Sequence, residues 1–263
     1  MNNKVLKFLV GFLVLFGLYH AAEYFVVKRY NAGYFVLIQS FFFAASWLIA
    51  KWQGFRGISA WALKPTKGWF LQWVCGMATG ILLYSLSFYI AAVVNGNLPV
   101  IFPTLRSVIK PLALFGFGTF LSSLSEDILT RGYLFRHIRP KVPSGLFIFV
   151  SAALYLFNHI YRLADGMNAI GYLFLLGILF AMPLVYSERL WFTTGMHWMG
   201  NLTFYFSANL LKINAGDNLV QPNTVFIICI LFMIPIFYLL LPKIPFMRSQ
   251  ESIVIEAIKQ QTR

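Results

Sequence analysis

Pro111–Arg136, PLALFGFGTFLSSLSEDILTRGYLFR, starts as an apolar helix of membrane type and then places Glu126, Asp127 and Arg131 inside the same hydrophobic run. On insertion scales a charge at the centre of a membrane helix costs about 2.5–3.5 kcal/mol, so such residues mark a site or a buried pair. The chain has only eight acidic residues, and Glu126 and Asp127 alone lie deep in an apolar segment. Glu23 sits at the end of one, and the other five fall in connections or the tail. Two further polar pairs, Tyr155 with His159 and His197 with Asn201, lie in later apolar runs. The rest of the chain reads as a scaffold that brings these three segments together.

The 263 residues are 59% hydrophobic and 11% charged, with a mean hydropathy of +0.73. Ordinary soluble domains are about a quarter charged, so this chain cannot cover the surface of a soluble fold. The class is all-α, a polytopic membrane helix bundle whose partner is the lipid bilayer. Stretches of roughly 20 apolar residues give eight spans, near 5–25, 33–50, 69–94, 109–135, 144–161, 168–187, 189–211 and 223–241. They form a single transmembrane domain over 1–263, with a motif-bearing core at about 109–205. Lys4 and Lys7 followed by an apolar core to Ala22 resemble a signal peptide, but the core is long and reads as the first span. Gly76-x-x-x-Gly80 offers a small-residue face for close helix packing. Cys75 and Cys229 both lie inside apolar runs and form no metal or disulfide pattern.

A net charge of +13 invites a nucleic-acid reading, but the 21 Lys and Arg residues punctuate short connections and form no stripe on one face. No nucleic-acid partner is expected. Fourteen of them fall on the N-terminus, the even-numbered connections and the tail, six on the odd-numbered connections, and Arg131 inside its span. That asymmetry predicts both termini in the cytoplasm of an integral membrane protein, expected in a bacterial inner (plasma) membrane. The 51–68 connection, with Trp52 and Trp61 among basic residues, suits a segment lying in the cytoplasmic headgroup layer.

Helical spacing sorts the polar groups. Asp127 and Arg131 stand at i, i+4 and pair. Glu126 lies about 100° around the helix, outside that bond, and stays free to take and give protons as a general base does. A buried structural triad of all three is the bland alternative. Tyr155 and His159 share a face of the fifth span, as His197 and Asn201 do on the seventh. His20 has no partner at this spacing and reads as a packing residue. Measured from Arg136, Ser144 and Arg189 at ~1.5 Å per residue, Glu126 lies ~15 Å deep, His159 ~22 Å, His197 ~12 Å and Asn201 ~18 Å. These depths fall in one slab of a ~30 Å core.

Glu126-Asp127-x-x-x-Arg131, Tyr155-x-x-x-His159 and His197-x-x-x-Asn201, in that order, resemble the CPBP intramembrane protease family. It includes the type II CAAX prenyl endopeptidases and bacterial Abi-type relatives, and its pattern is EExxxR, FxxxH and HxxxN or HxxxD. The resemblance covers roughly residues 109–205. It implies that Glu126 activates a water with help from His159, that His197 and Asn201 hold the peptide oxygen, and that Arg131 positions the acidic pair. The substrate would be a membrane-associated peptide or protein, such as a prenylated CAAX tail, cut near the cytoplasmic leaflet. Glu126, His159 and His197 would complete a three-ligand Zn2+ site, whereas relatives are also read as glutamate proteases without an obligatory metal. No HExxH is present. Asp127 replaces a glutamate of the pattern and Tyr155 a phenylalanine; neither removes a proposed catalytic group. The competing classes are a non-catalytic scaffold or bacteriocin-immunity-type binding protein of the same fold and a proton-coupled transporter. The transporter is disfavoured by the lack of repeated halves.

Overall fold

The computed structural model describes residues 3–97, 99–213 and 219–248. Helices α1 (Asn3–Val27) and α2 (Ala32–Trp52) form an antiparallel hairpin, and the Asn31 side chain caps α2 by accepting the Tyr34 N–H. Then follow α3 (Trp69–Val94), α4 (Leu105–Asp127), α5 (Tyr133–His137), α6 (Ser144–Asn158), α7 (Met167–Ser187), α8 (Trp191–Tyr205) and α9 (Pro222–Leu240). A π-helical turn, Ile128–Gly132, joins α4 to α5, and a second, Phe206–Leu210, extends α8. Among the described residues the one strand pair is short: β1 (Pro99–Ile101) runs antiparallel to β2 (Lys212–Ile213). It ties the connection after α3 to the one after α8.

The spans form where the chain is apolar long enough to bury a helix in lipid, because backbone polar groups there must be satisfied within the segment. Six helical stretches of the described residues are long and apolar enough to cross a membrane: Asn3–Val27, Ala32–Trp52, Trp69–Val94, Leu105–Lys141, Met167–Ser187 and Pro222–Lys243. The other two expected spans are the ones that carry His159 and His197. Helix α6 has 15 residues, about 22 Å against a core of about 30 Å, whereas α8, also 15 residues, is lengthened by its π extension to Leu210. The fifth span therefore stops at Asn158, short of the expected 161.

Helices α3 and α8 pack backbone to backbone. A Cβ on Gly76 would overlap the Phe192 carbonyl, one on Gly80 the Met196 carbonyl, and one on Gly195 the Trp73 carbonyl. The small-residue face expected on α3 is thus met by a second one on α8.

The face of the bundle bearing the N-terminus is sealed. Trp61, expected in the headgroup layer, is fully buried instead, its Nε1 donating to the Ser46 carbonyl at 3.2 Å and its ring 5.0 Å from that of Tyr133. The 51–68 segment folds inward because Ala62 and three glycines, Gly54, Gly57 and Gly68, take positive φ and turn it under the bundle. Of the two tryptophans in this segment, Trp52 keeps an exposed position, beneath the Lys7 ammonium. Gln72 Nε2 donates to the Phe246 carbonyl and Arg189 Nη1 to that of Lys67, closing the same end.

Candidate active site

Glu126 and Asp127 are the last two residues of α4, and Arg131 sits in the π turn that follows. The wider turn, in which Tyr133 N–H reaches back to the Ile128 carbonyl, is a local insertion of the kind that marks functional sites in helices. Arg131 Nη1 donates to Asp127 Oδ1 at 2.5 Å, and both side chains are fully buried. The guanidinium also lies 4.6 Å from the centroid of the Tyr155 ring and 5.0 Å from that of Phe180. Cation–π contact with two rings compensates nitrogens that find no further acceptor. Asp127 Oδ1 has a second partner that spacing along one helix does not reveal, His197 Nδ1 on α8 at 3.2 Å.

Glu126 takes no arginine. Its Oε1 accepts a hydrogen bond from Asn158 Nδ2 at 2.9 Å and lies 3.6 Å from His159 Nδ1. Its Oε2 lies 3.6 Å from His197 Nε2. Glu126 is 3% exposed and Asn158 1%. Asn158 is the residue the sequence reading missed. Its available signal is an amide at the end of an otherwise apolar helix, immediately before a histidine.

His159 is not on the helix face that i, i+4 spacing predicts. With φ −89° and ψ 47° it lies just past the end of α6. In a continued helix its N–H would pair with the Tyr155 carbonyl. That N–H reaches Leu156 O at 3.1 Å instead, leaving the Tyr155 carbonyl as an orphan helix-end acceptor. His159 Nδ1 donates to it at 2.8 Å. A carbonyl only accepts, so Nδ1 carries hydrogen, and a neutral His159 keeps its lone pair on Nε2. Tyr155, 3% exposed, packs edge-on against both imidazoles.

His197 and Asn201 stand one turn apart on α8. Donation to Asp127 leaves His197 Nε2 facing Glu126. Asn201 Nδ2 donates to Ser123 Oγ on α4 at 3.1 Å. His20, read as a packing residue without an i, i+4 partner, has one at i+3: its Nδ1 meets Glu23 Oε2 at 3.2 Å.

Glu126, Tyr155, His159, His197 and Asn201 line one cavity of about 510 Å³. Its walls are largely aromatic and aliphatic, with Tyr84, Phe88, Phe115, Tyr172, Leu176 and Phe226 among them. Broken backbone at membrane depth is tolerated where it borders such a space, which explains how α6 ends there. The donor set fits a zinc ion poorly. The His159 nitrogen nearest Glu126 is the hydrogen-bearing Nδ1, and among the described residues no three His, Cys, Asp or Glu side chains are arranged to hold a metal.

Residues 108–203 match the family described as Type II CAAX prenyl endopeptidase Rce1-like, a stretch that contains all three motifs. No curated protein and no solved structure matches the chain.

Proposed function

We propose, from the similarity of residues 108–203 to the Rce1-like family, that the protein is an intramembrane endopeptidase of the CPBP type with Glu126 as general base. One observation carries the reading. A buried carboxylate faces an amide and two imidazoles beside a cavity, while Arg131 is committed to Asp127.

In this mechanism a water beside Glu126 gives a proton to the carboxylate as its oxygen bonds to the carbonyl carbon of the peptide. Asn158 holds the Oε1 side of Glu126, with the His159 ring beside it at 3.6 Å, so the carboxylate keeps one orientation. The oxyanion that forms takes hydrogen bonds from His197 Nε2 and Asn201 Nδ2. Such donors contribute about 2.7–4 kcal/mol each in acyl-transfer enzymes. His197 donates from Nε2 only as an imidazolium, because Nδ1 already donates to Asp127. The Asp127 carboxylate, fixed by Arg131, offsets that charge. Glu126 then passes its proton to the amide nitrogen as the C–N bond breaks, leaving a carboxyl and an amine.

The test is Glu126→Gln, which keeps the shape and the Asn158 contact but removes the base. In a detergent-solubilised peptide assay it is expected to abolish cleavage with unchanged expression and melting temperature. Cleavage at the wild-type rate sinks the assignment. If the variant also restores the phenotype of a deletion strain, the fold serves as a binding scaffold.

A further inference from the structure

The cavity is open at one end of the bundle and closed at the other, and the two ends differ in charge. From Glu126 its lining runs outward to Val27 at the end of α1, Asn95 past α3, Arg162 past α6, Ser207 past α8 and Asn223 at the start of α9. Every one of these positions borders an odd-numbered connection. In the other direction Ile128, Leu129, Tyr133 and Trp61, all 0% exposed, stand between Glu126 and the face that bears the N-terminus. Among the described residues the sealed face carries twelve Lys and Arg residues and the open face six. Basic residues in short connections mark the cytoplasmic side.

From these two asymmetries we infer that the cavity is loaded from the non-cytoplasmic side of the membrane. Resting on the proteolytic reading above, its substrate is then an extended segment of a secreted or membrane-anchored polypeptide outside the cytoplasm, and not a cytoplasmic tail cut near the inner leaflet. The mouth carries one carboxylate, Glu23, and one guanidinium, Arg162, so it favours neither sign of charge. The walls are aromatic, and the volume lies within the roughly 300–1,000 Å³ of ordinary ligand sites. An uncharged segment with large apolar side chains fits that chemistry.

Single cysteines in the full chain, with Cys75 and Cys229 changed to Ser, test this in intact bacterial cells. Ala164→Cys lies in an exposed position on the open face, Lys64→Cys in one on the sealed face, and Ser122→Cys on the cavity wall one turn outward from Glu126. A small charged methanethiosulfonate, unable to cross the membrane, is expected to modify Ala164→Cys and Ser122→Cys in intact cells. Lys64→Cys should react only after permeabilisation. Reaction of Lys64→Cys in intact cells, or of Ala164→Cys or Ser122→Cys only after lysis, overturns the inference. The readout needs no cleavage and is repeated on Glu126→Gln, so loss of the enzymatic reading and loss of the orientation are separate results.

Discussion

Glu126 keeps its carboxylate uncommitted because Asp127, its neighbour in the chain, takes the arginine. Unpairing a buried ion pair by removing one partner costs about 3–5 kcal/mol, so Arg131 will not leave Asp127 to neutralise the base. What orients Glu126 is Asn158, whose amide donates at 2.9 Å from the far helix. Asn158→Leu keeps the volume and removes the donor. Hydrogen bonds to charged groups contribute about 1.5–3 kcal/mol, which corresponds to a roughly 10–150-fold lower kcat at ~1.36 kcal/mol per decade. KM is expected to change little, because Asn158 is absent from the cavity lining. A variant with unaltered kcat, or one that loses only KM, assigns Asn158 to packing.

At the scale of elements, the site depends on two helix ends and one close helix pair. The α3–α8 contact sets where His197 and Asn201 stand, and it relies on missing side chains. Gly76→Ala would force its Cβ into the Phe192 carbonyl, a backbone atom that cannot step aside. Overpacking of this kind costs about 1–3 kcal/mol or more, read as a lower melting temperature in detergent with reduced cleavage. Gly17→Ala on α1 meets nothing within 4 Å and is the control. It should hold or gain stability, since Ala is favoured over Gly inside a helix by about 0.5–1 kcal/mol. The α3 glycines and the limits of α3 were legible in the sequence, because apolar run length and small-residue spacing are local signals. The pairing of Asp127 with Arg131 was legible for the same reason. The π turn at Ile128–Gly132 and the early end of α6 were not, since both arise from how neighbouring elements pull on the chain. That is also why His159 was read onto a helix face when its ring caps a helix end, and why Asn158 went unnoticed. Trp61 misled in the opposite sense: an indole among lysines looks interfacial until the left-handed turns on either side of it carry it under the bundle.

Across the whole molecule, the bundle divides into an open half that governs access and a sealed half that governs stability. The two halves meet at Glu126, which has the cavity on one side and the packed cluster of Trp61, Tyr133, Ile128 and Leu129 on the other. Substitutions should therefore separate by which side of Glu126 they fall on. Thr119 lines the cavity two turns outward along α4, about 10 Å from Glu126 at 1.5 Å per residue. Thr119→Trp places an indole across the route to the base while leaving the sealed cluster untouched. It is expected to lower kcat/KM for a protein substrate by about tenfold or more, equivalent to ~1.4 kcal/mol, with a wild-type melting temperature. Trp61→Ala does the reverse. Emptying a fully buried indole site costs about 3–5 kcal/mol, so the melting temperature falls. Below that temperature the cavity and its mouth are intact, and kcat/KM should stay close to wild type. Loss of specific activity by folded Trp61→Ala protein, with Thr119→Trp cleaving normally, would mean that the route to Glu126 runs through the half that is sealed here.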